Sequence, residues 1–306
     1  MTWFLLALVG PFLYAVTNFI DKVLLEKYFK QGGVGTLLIF SAALSGLALP
    51  ILFFLDPAVL AVDNVSKLAL AAVGTLNVLL LFFYLKALED EEVSITVIFY
   101  QLVPVFAYGL GYLILGETLT TMELIAMAII ILGTSIVSFE IDTDNKFRMR
   151  RATVFYMLAA SFCWALGSVI FKAVALEENV IRSLFWEHLM LMVIGAGIFL
   201  FIKSYRGHFI SAVKDNSGAI LGLNFLNESI YMVGNAVFAF AYLLAPIALV
   251  LLAESYQPLF ALGIGIILTL FFPFIVKEKL HLKHIWQKVF AVLVTGLGTY
   301  LLFTTQ

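Results

Sequence analysis

The amino-acid sequence predicts an all-α integral membrane protein: ten transmembrane helices arranged as two inverted five-helix repeats. Three observations carry this. Only 12% of the 306 residues are charged and 63% are hydrophobic, whereas an average soluble domain is about a quarter charged. A soluble chain of this length cannot bury so much apolar side chain, so much of it must face lipid. Ten segments reach the roughly 20 apolar residues that a span requires. The two halves also echo one another: Tyr14, Ala15, Ile20 and Lys22 stand 150 positions before Trp164, Ala165, Ile170 and Lys172. Internal repetition in so apolar a chain is the trace of a transport fold built from two halves around a central site. Five spans per half is an odd number, so the second copy enters the membrane reversed.

The segments follow in order. Segment 1 (3–24) is uncharged from Thr2 to Ile20 and lacks the basic start of a cleavable signal. Its Tyr14 and Asn18, four residues apart, share a helical face. Segment 2 (34–55) is uncharged, and segment 3 (67–88) carries Asn77 and Tyr84. In segment 4 (93–115), Pro104 removes the backbone bond to the Tyr100 carbonyl. Segment 5 (122–139) contains Leu132-Gly133-Thr134. A polar stretch then divides the chain into a first repeat (1–140), a linker (141–151) and a second repeat (152–306).

Segment 6 (152–173) returns Trp164 and Ser168 in place of Tyr14 and Asn18. Segment 7 (183–202) has Glu187 and His188 about one turn from its start, within reach of the interface. Lys203 to Lys214 reads as a solvated loop lying on the membrane. Segment 8 (218–243) carries a polar stripe of Asn224, Glu228, Tyr231, Asn235 and Tyr242, spaced four, three, four and seven. Its Asn235 and Tyr242 mirror Asn77 and Tyr84. In segment 9 (247–275), the run from Pro258 to Gly265 mirrors Pro104 to Gly111, and Pro258 frees the carbonyl of Glu254. Segment 10 (286–304) closes with Leu297-Gly298-Thr299.

Of the 18 Lys and Arg residues, 15 fall after segments 1, 3, 5, 7 and 9; only Lys67, Lys172 and Arg182 lie on the other side. The positive-inside rule then places both termini outside the cytosol. A net charge of −2 argues against a nucleic-acid partner, and the single cysteine, Cys163, excludes an internal disulfide. No cofactor or metal motif is present, and without a Walker motif nothing supports ATP drive. Two glycosylation triplets, at Asn64 and Asn227, carry little weight, the second lying inside a span.

A charged side chain at mid-bilayer costs roughly 2.5–3.5 kcal/mol, so each one calls for a reason. Glu228 lies about ten residues into segment 8, roughly 15 Å deep, and Glu254 about seven into segment 9. Their repeat partners are Leu70 and Tyr100, so these acids are additions to one half. Broken helices at matched prolines also point to a midplane site. The candidate solute-binding set is Tyr14, Asn18, Asn77, Tyr100, Trp164, Ser168, Asn224, Glu228, Tyr231, Asn235, Tyr242 and Glu254. Glu254 and Glu228 are the proton-coupling candidates, since leaving water favours the neutral form of a carboxyl. The asparagines serve equally well as glue between packed helices, and the prolines alone as packing kinks. Lys22 and Lys172 read as snorkelling to the interface. Glu117 and Glu278, at helix ends, read as structural.

Segment 4 ends as Pro104 through Gly116-Glu117-Thr118-Leu119. With the tandem five-helix pattern, this resembles the EamA-type branch of the drug/metabolite transporter superfamily, over nearly the whole chain. The second copy departs from the pattern: seven further residues follow Gly265, and its glutamate stands as Lys277-Glu278-Lys279 without the glycine. The resemblance implies a ten-helix carrier of small organic solutes, with cytosolic termini in opposition to the charge count. The reading is a secondary transporter, in a bacterial or archaeal cytoplasmic membrane, moving a small polar metabolite by alternating access. Deep acids without deep bases favour a cationic or zwitterionic solute, amine- or amino-acid-like, and proton coupling follows from the same acids. The alternatives are a membrane enzyme acting on a lipid-linked group, with Glu187 and His188 as acid and base, or a flippase. The partners expected are the solute and membrane lipid.

Overall fold

Inside a bilayer no water meets the backbone, so long apolar runs satisfy their own N–H and C=O groups as helices. The computed structural model describes residues 2–28, 33–90, 96, 98–138, 151–271 and 282–304, with no strand among them. Helices α1 (Thr2–Val23), α2 (Gly33–Ser45), α3 (Ala48–Leu55), α4 (Asn64–Asp90), α5 (Val103–Leu115) and α6 (Thr121–Ser138) form the first half. The second half comprises α7 (Arg151–Glu177), α8 (Val180–Phe201), α9 (Lys203–Tyr242), α10 (Ile247–Leu252), α11 (Gln257–Phe271) and α12 (Leu282–Thr304). Among the described residues, 7 stretches are long and apolar enough to cross a membrane. Two shorter apolar helices, Phe99–Leu115 and Thr121–Ile136, accompany them.

Packing runs largely between the halves. α4 lies along α7, α1 along α9, and α6 along α12. α2 packs on α8 and α9, α4 on α8, and α5 on α7 and α10. The repeated Leu-Gly-Thr motifs meet at the α6–α12 crossing. A Cβ on Gly133 would lie 2.7 Å from the Thr295 backbone nitrogen, and one on Gly298 3.0 Å from that of Ile130. Only the absence of a side chain permits this approach, while Leu132 and Leu297 point outward.

Three details differ from the sequence reading. First, segment 2 is broken by a turn at Gly46 and Leu47, between α2 and α3. Second, Lys203 to Lys214 is not a loop: it opens α9, a helix of 40 residues. Tyr205, Phe209, Ala212 and Val213 pack against the core, with the Phe209 ring 4.6 Å from that of Phe40. The polar residues between them obscured this one-sided apolar stripe. At about 1.5 Å per residue the helix is roughly 60 Å long, twice the hydrocarbon thickness, so part of it lies outside the membrane core.

Third, the prolines interrupt their helices without leaving the expected acceptors free. A tight 3₁₀ turn precedes each, at Phe99–Leu102 and Ala253–Tyr256. The carbonyls of Tyr100 and Glu254 accept instead from the N–H groups of Val103 and Gln257. The tighter i to i+3 pattern takes up what the proline ring removed. The linker up to residue 150, and Glu278, lie outside the described residues.

Candidate functional site

Segments that cross near one another leave room between them where side chains are small or polar. Here α1, α4, α7, α8 and α9, with the breaks before α5 and α11, enclose about 740 Å³ of empty space, its mouth included. Of the predicted residues, Tyr14, Asn18, Asn77, Tyr100, Trp164, Ser168, Tyr231, Asn235 and Tyr242 line it. Glu187, Asp21, Thr17, Tyr84 and Gln257 line it as well.

Glu187 is the chemical centre. It is 3% exposed, and its Oε1 accepts from Asn77 Nδ2 at 2.7 Å and from Asn235 Nδ2 at 3.3 Å. These asparagines are repeat partners, one from α4 and one from α9, so both halves reach the same carboxylate. Sequence position suggested that Glu187 could reach the interface. In the structure the start of α8 is roofed by the chain between α3 and α4. Trp186 Nε1 donates to the Val59 carbonyl at 2.7 Å, and Arg182 Nε binds Asp56 Oδ2 at 2.8 Å. The helix terminus is therefore not where the protein ends.

The walls are aromatic. Tyr14 meets Trp164 edge-on at 5.8 Å and Tyr231 at 5.4 Å, and Tyr100 meets Trp164 edge-on at 5.0 Å. A further matched pair holds the cavity on two sides. Tyr84 donates to Asn18 Oδ1 at 2.9 Å, and its counterpart Tyr242 bonds the Ser168 hydroxyl at 3.0 Å. Asn18 Nδ2 remains buried without a partner.

The other predicted residues lie elsewhere. Asn224 is buried and donates to the Ile220 carbonyl at 2.8 Å, within its own helix. Glu228 lines an adjoining compartment of about 600 Å³ together with Asp21, Ser41 and Asn227. Glu254 is fully buried outside the lining of either space, and both its carboxyl oxygens lack hydrogen-bond partners. Its repeat partner Tyr100 does line the cavity, so matching position in sequence did not give matching access.

Among the described residues, no Lys, Arg or His lines either space. Lys172 is engaged elsewhere: it is 4% exposed, 2.5 Å from Glu117 Oε1, and donates to the Ala245 carbonyl at 2.7 Å. Lys172 therefore does not snorkel. Gly116 explains the Gly-Glu pair. Its φ of +68° ends α5 in the left-handed region. The chain then turns so that Glu117 reaches Lys172 and also accepts from Ile247 N–H at 2.7 Å. Lys22 sits in a related way, donating to the Leu88 carbonyl at 3.1 Å. Among the described residues, no group of three or more His, Cys, Asp or Glu side chains could hold a metal ion.

The comparisons with known proteins agree with this architecture. Residues 1–139 match the EamA-like transporter family, part of the drug/metabolite transporter superfamily. No curated protein matches the chain. One solved structure, titled only "Crystal structure of protein", is similar at 14% identity, covering 95% of this chain and 95% of its own, with a TM-score of 0.56. That likeness speaks to the fold alone. Together with the apolar helices, the family match over the first half points to an integral, multi-pass membrane protein.

Proposed function

From a first half that matches a transporter family, we propose that this protein is a secondary transporter carrying a small cationic or zwitterionic solute by alternating access across a bacterial or archaeal plasma membrane. Ten spans in two inverted repeats, 1–140 and 152–306 joined by 141–151, form the frame. The pattern of helix packing supports it. Exchanging each segment with the one five places on maps the α4–α7 contact onto α9–α1, and α4–α8 onto α9–α2. The same exchange leaves α2–α8, α6–α12 and α5–α10 in place. A two-fold axis in the membrane plane would produce this set.

The observation that carries the choice of solute is Glu187. A buried carboxylate held by two amides, facing a space that no basic side chain lines among the described residues, is short of positive charge. An amine or amino acid supplies that charge. The rings of Tyr14, Tyr100 and Trp164 suit its ammonium and its apolar body. A phosphate or nucleotide sugar would meet only negative charge. The Lys172–Glu117 pair and the Asp56–Arg182 pair tie down the face on which α5 and α7 end, which leaves the opposite face for entry. Coupling to a proton gradient belongs to the same reading, with Glu254 and Glu228 as its carboxyl candidates.

A thermal-shift screen of the purified protein against amino acids, amines, nucleosides and sugar phosphates tests this reading. Amines or amino acids should stabilise it, and Glu187→Gln should abolish that shift. Stabilisation by sugar phosphates alone would overturn it.

A further inference from the structure

The adjoining compartment has a chemistry of its own. It shares Asp21, Asn77 and Tyr231 with the main cavity, and extends between α1, α2 and α9 to Glu228. Asp21 and Glu228 are 8% and 5% exposed, so both carboxyls are out of bulk water. Asn227, next to Glu228 in sequence, lines the same space and is 6% exposed. Its Nδ2 donates to Asp21 Oδ1 at 2.7 Å, while its own Oδ1 is buried with no partner.

The inventory of donors is short. Asp21 and Glu228 offer four carboxyl oxygens and Asn227 one carbonyl oxygen. Against these stand the Asn227 amide, the Ser41 hydroxyl, which bonds Glu228, the Tyr231 hydroxyl and the Asn77 amide, which is directed to Glu187. Thr17 spends its hydroxyl hydrogen on the Tyr14 carbonyl at 2.9 Å. The other helices bring no base: α4 contributes Asn77 and apolar side chains, and α8 contributes Leu191. Apart from the two acids, Tyr231 is the one titratable group in the lining among the described residues. Lys22, next to Asp21 in sequence, is directed to Glu26 at 3.3 Å and to the Leu88 carbonyl. The joined cavity adds another acid to the lining, Glu187.

We infer that this compartment is a binding site for a univalent inorganic cation, held by Asp21, Glu228 and the Asn227 carbonyl oxygen and separate from the solute's contact with Glu187. An all-oxygen donor set without thiol or imidazole suits a hard cation. One positive charge offsets one of two neighbouring negative charges that low polarity keeps apart from water. Asn227 then has a task for each end of its amide: the nitrogen supports the ionised Asp21 and the oxygen faces the cation. The shared space with the main cavity makes the site a natural place for coupling, and in that respect the inference rests on the transport reading. The binding itself does not.

The cation arrives as sodium or as a proton, and two measurements separate them on purified protein without solute. In the first, thermal stability is titrated with Na⁺ against K⁺ at constant ionic strength. A Na⁺-selective rise is expected for the sodium case, and Asp21→Asn, Glu228→Gln and Asn227→Leu should each raise its midpoint by roughly tenfold to a hundredfold, the range one charge-assisted bond spans. In the second, infrared difference spectra follow protonated carboxyl groups through a pH titration. A band lost in Glu228→Gln or Asp21→Asn, with no Na⁺ preference, assigns the site to a proton. Neither a Na⁺-selective shift nor a titrating carboxyl would overturn the inference, provided that the variants remain monodisperse. Glu187→Gln removes the solute's carboxylate but none of the Asp21, Glu228 and Asn227 oxygens, so it should keep the Na⁺-selective shift or the bands that Asp21→Asn and Glu228→Gln remove, which keeps this outcome distinct from failure of the solute reading.

Discussion

Lys172 illustrates what one side chain contributes when it is removed from water. Its ammonium meets Glu117 and the Ala245 carbonyl at 4% exposure. Deleting one member of such a pair strands the other, at a cost of about 3–5 kcal/mol. Lys172→Met should therefore destabilise the protein strongly in an unfolding titration in mixed micelles, and Lys172→Met combined with Glu117→Leu should recover a large part of the loss. Additive effects would show that the pair does not interact. The sequence placed Lys172 at the membrane surface because counting from a helix end gives depth along that helix only. The same limit hid Glu187, whose helix starts beneath a roof of chain. Asn77 and Asn235 were legible because their repeat spacing survives in the sequence. Their meeting point was not, since it lies on a third helix with no spacing to either.

Between elements, contact distance and charge decide stability. The α6–α12 crossing leaves no room beside Gly133. Gly133→Val should cost about 1–3 kcal/mol by overpacking, read as a lower unfolding midpoint, whereas a substitution at outward-facing Leu132 should have little effect. A second prediction concerns the tie outside the spans. The Arg182 guanidinium, the Asn179 amide and the Ala58 N–H hold the Asp56 carboxyl below the usual carboxylate range. A lowered value in the folded state means that this stabilisation is fully present above the unfolded carboxyl value of about 3.9 and is lost as pH falls through the folded one. The thermal midpoint of Asp56→Asn should therefore fall short of the parent's at neutral pH and converge with it in acid. A gap that persists in acid would place the effect elsewhere. The amphipathic start of α9 escaped the sequence because its apolar residues are thinned by Lys, Ser and Arg. A hydropathy average sees that polarity, whereas the structure buries only one face.

At the scale of the whole molecule, the echo between the halves is written in the sequence itself, and the Lys and Arg bias sets the expected orientation. A cysteine placed near Asp144 should be labelled only from the cytosol, and one after Gln306 only from outside, if the Lys and Arg bias governs insertion. The reverse pattern would show that the orientation implied by the family resemblance prevails. Hydropathy located the apolar stretches because lipid demands length and composition. It gave no azimuth, and so it could not separate Glu228, in the side compartment, from Glu254, sealed behind the lining.

The packing between the halves has a consequence for synthesis. α1, α2, α4 and α6 each find their main neighbours among α7, α8, α9 and α12. When the first 140 residues have left the ribosome, those faces have nothing but lipid or one another to meet. The nascent first half is then an inserted but unassembled set of helices, exposed to membrane proteases until translation delivers its cover. Residues 1–140 made alone should insert yet be degraded quickly, and co-expression of 151–306 should restore a stable complex. Premature termination within the second half would thus waste the whole chain, rather than leave a working fragment.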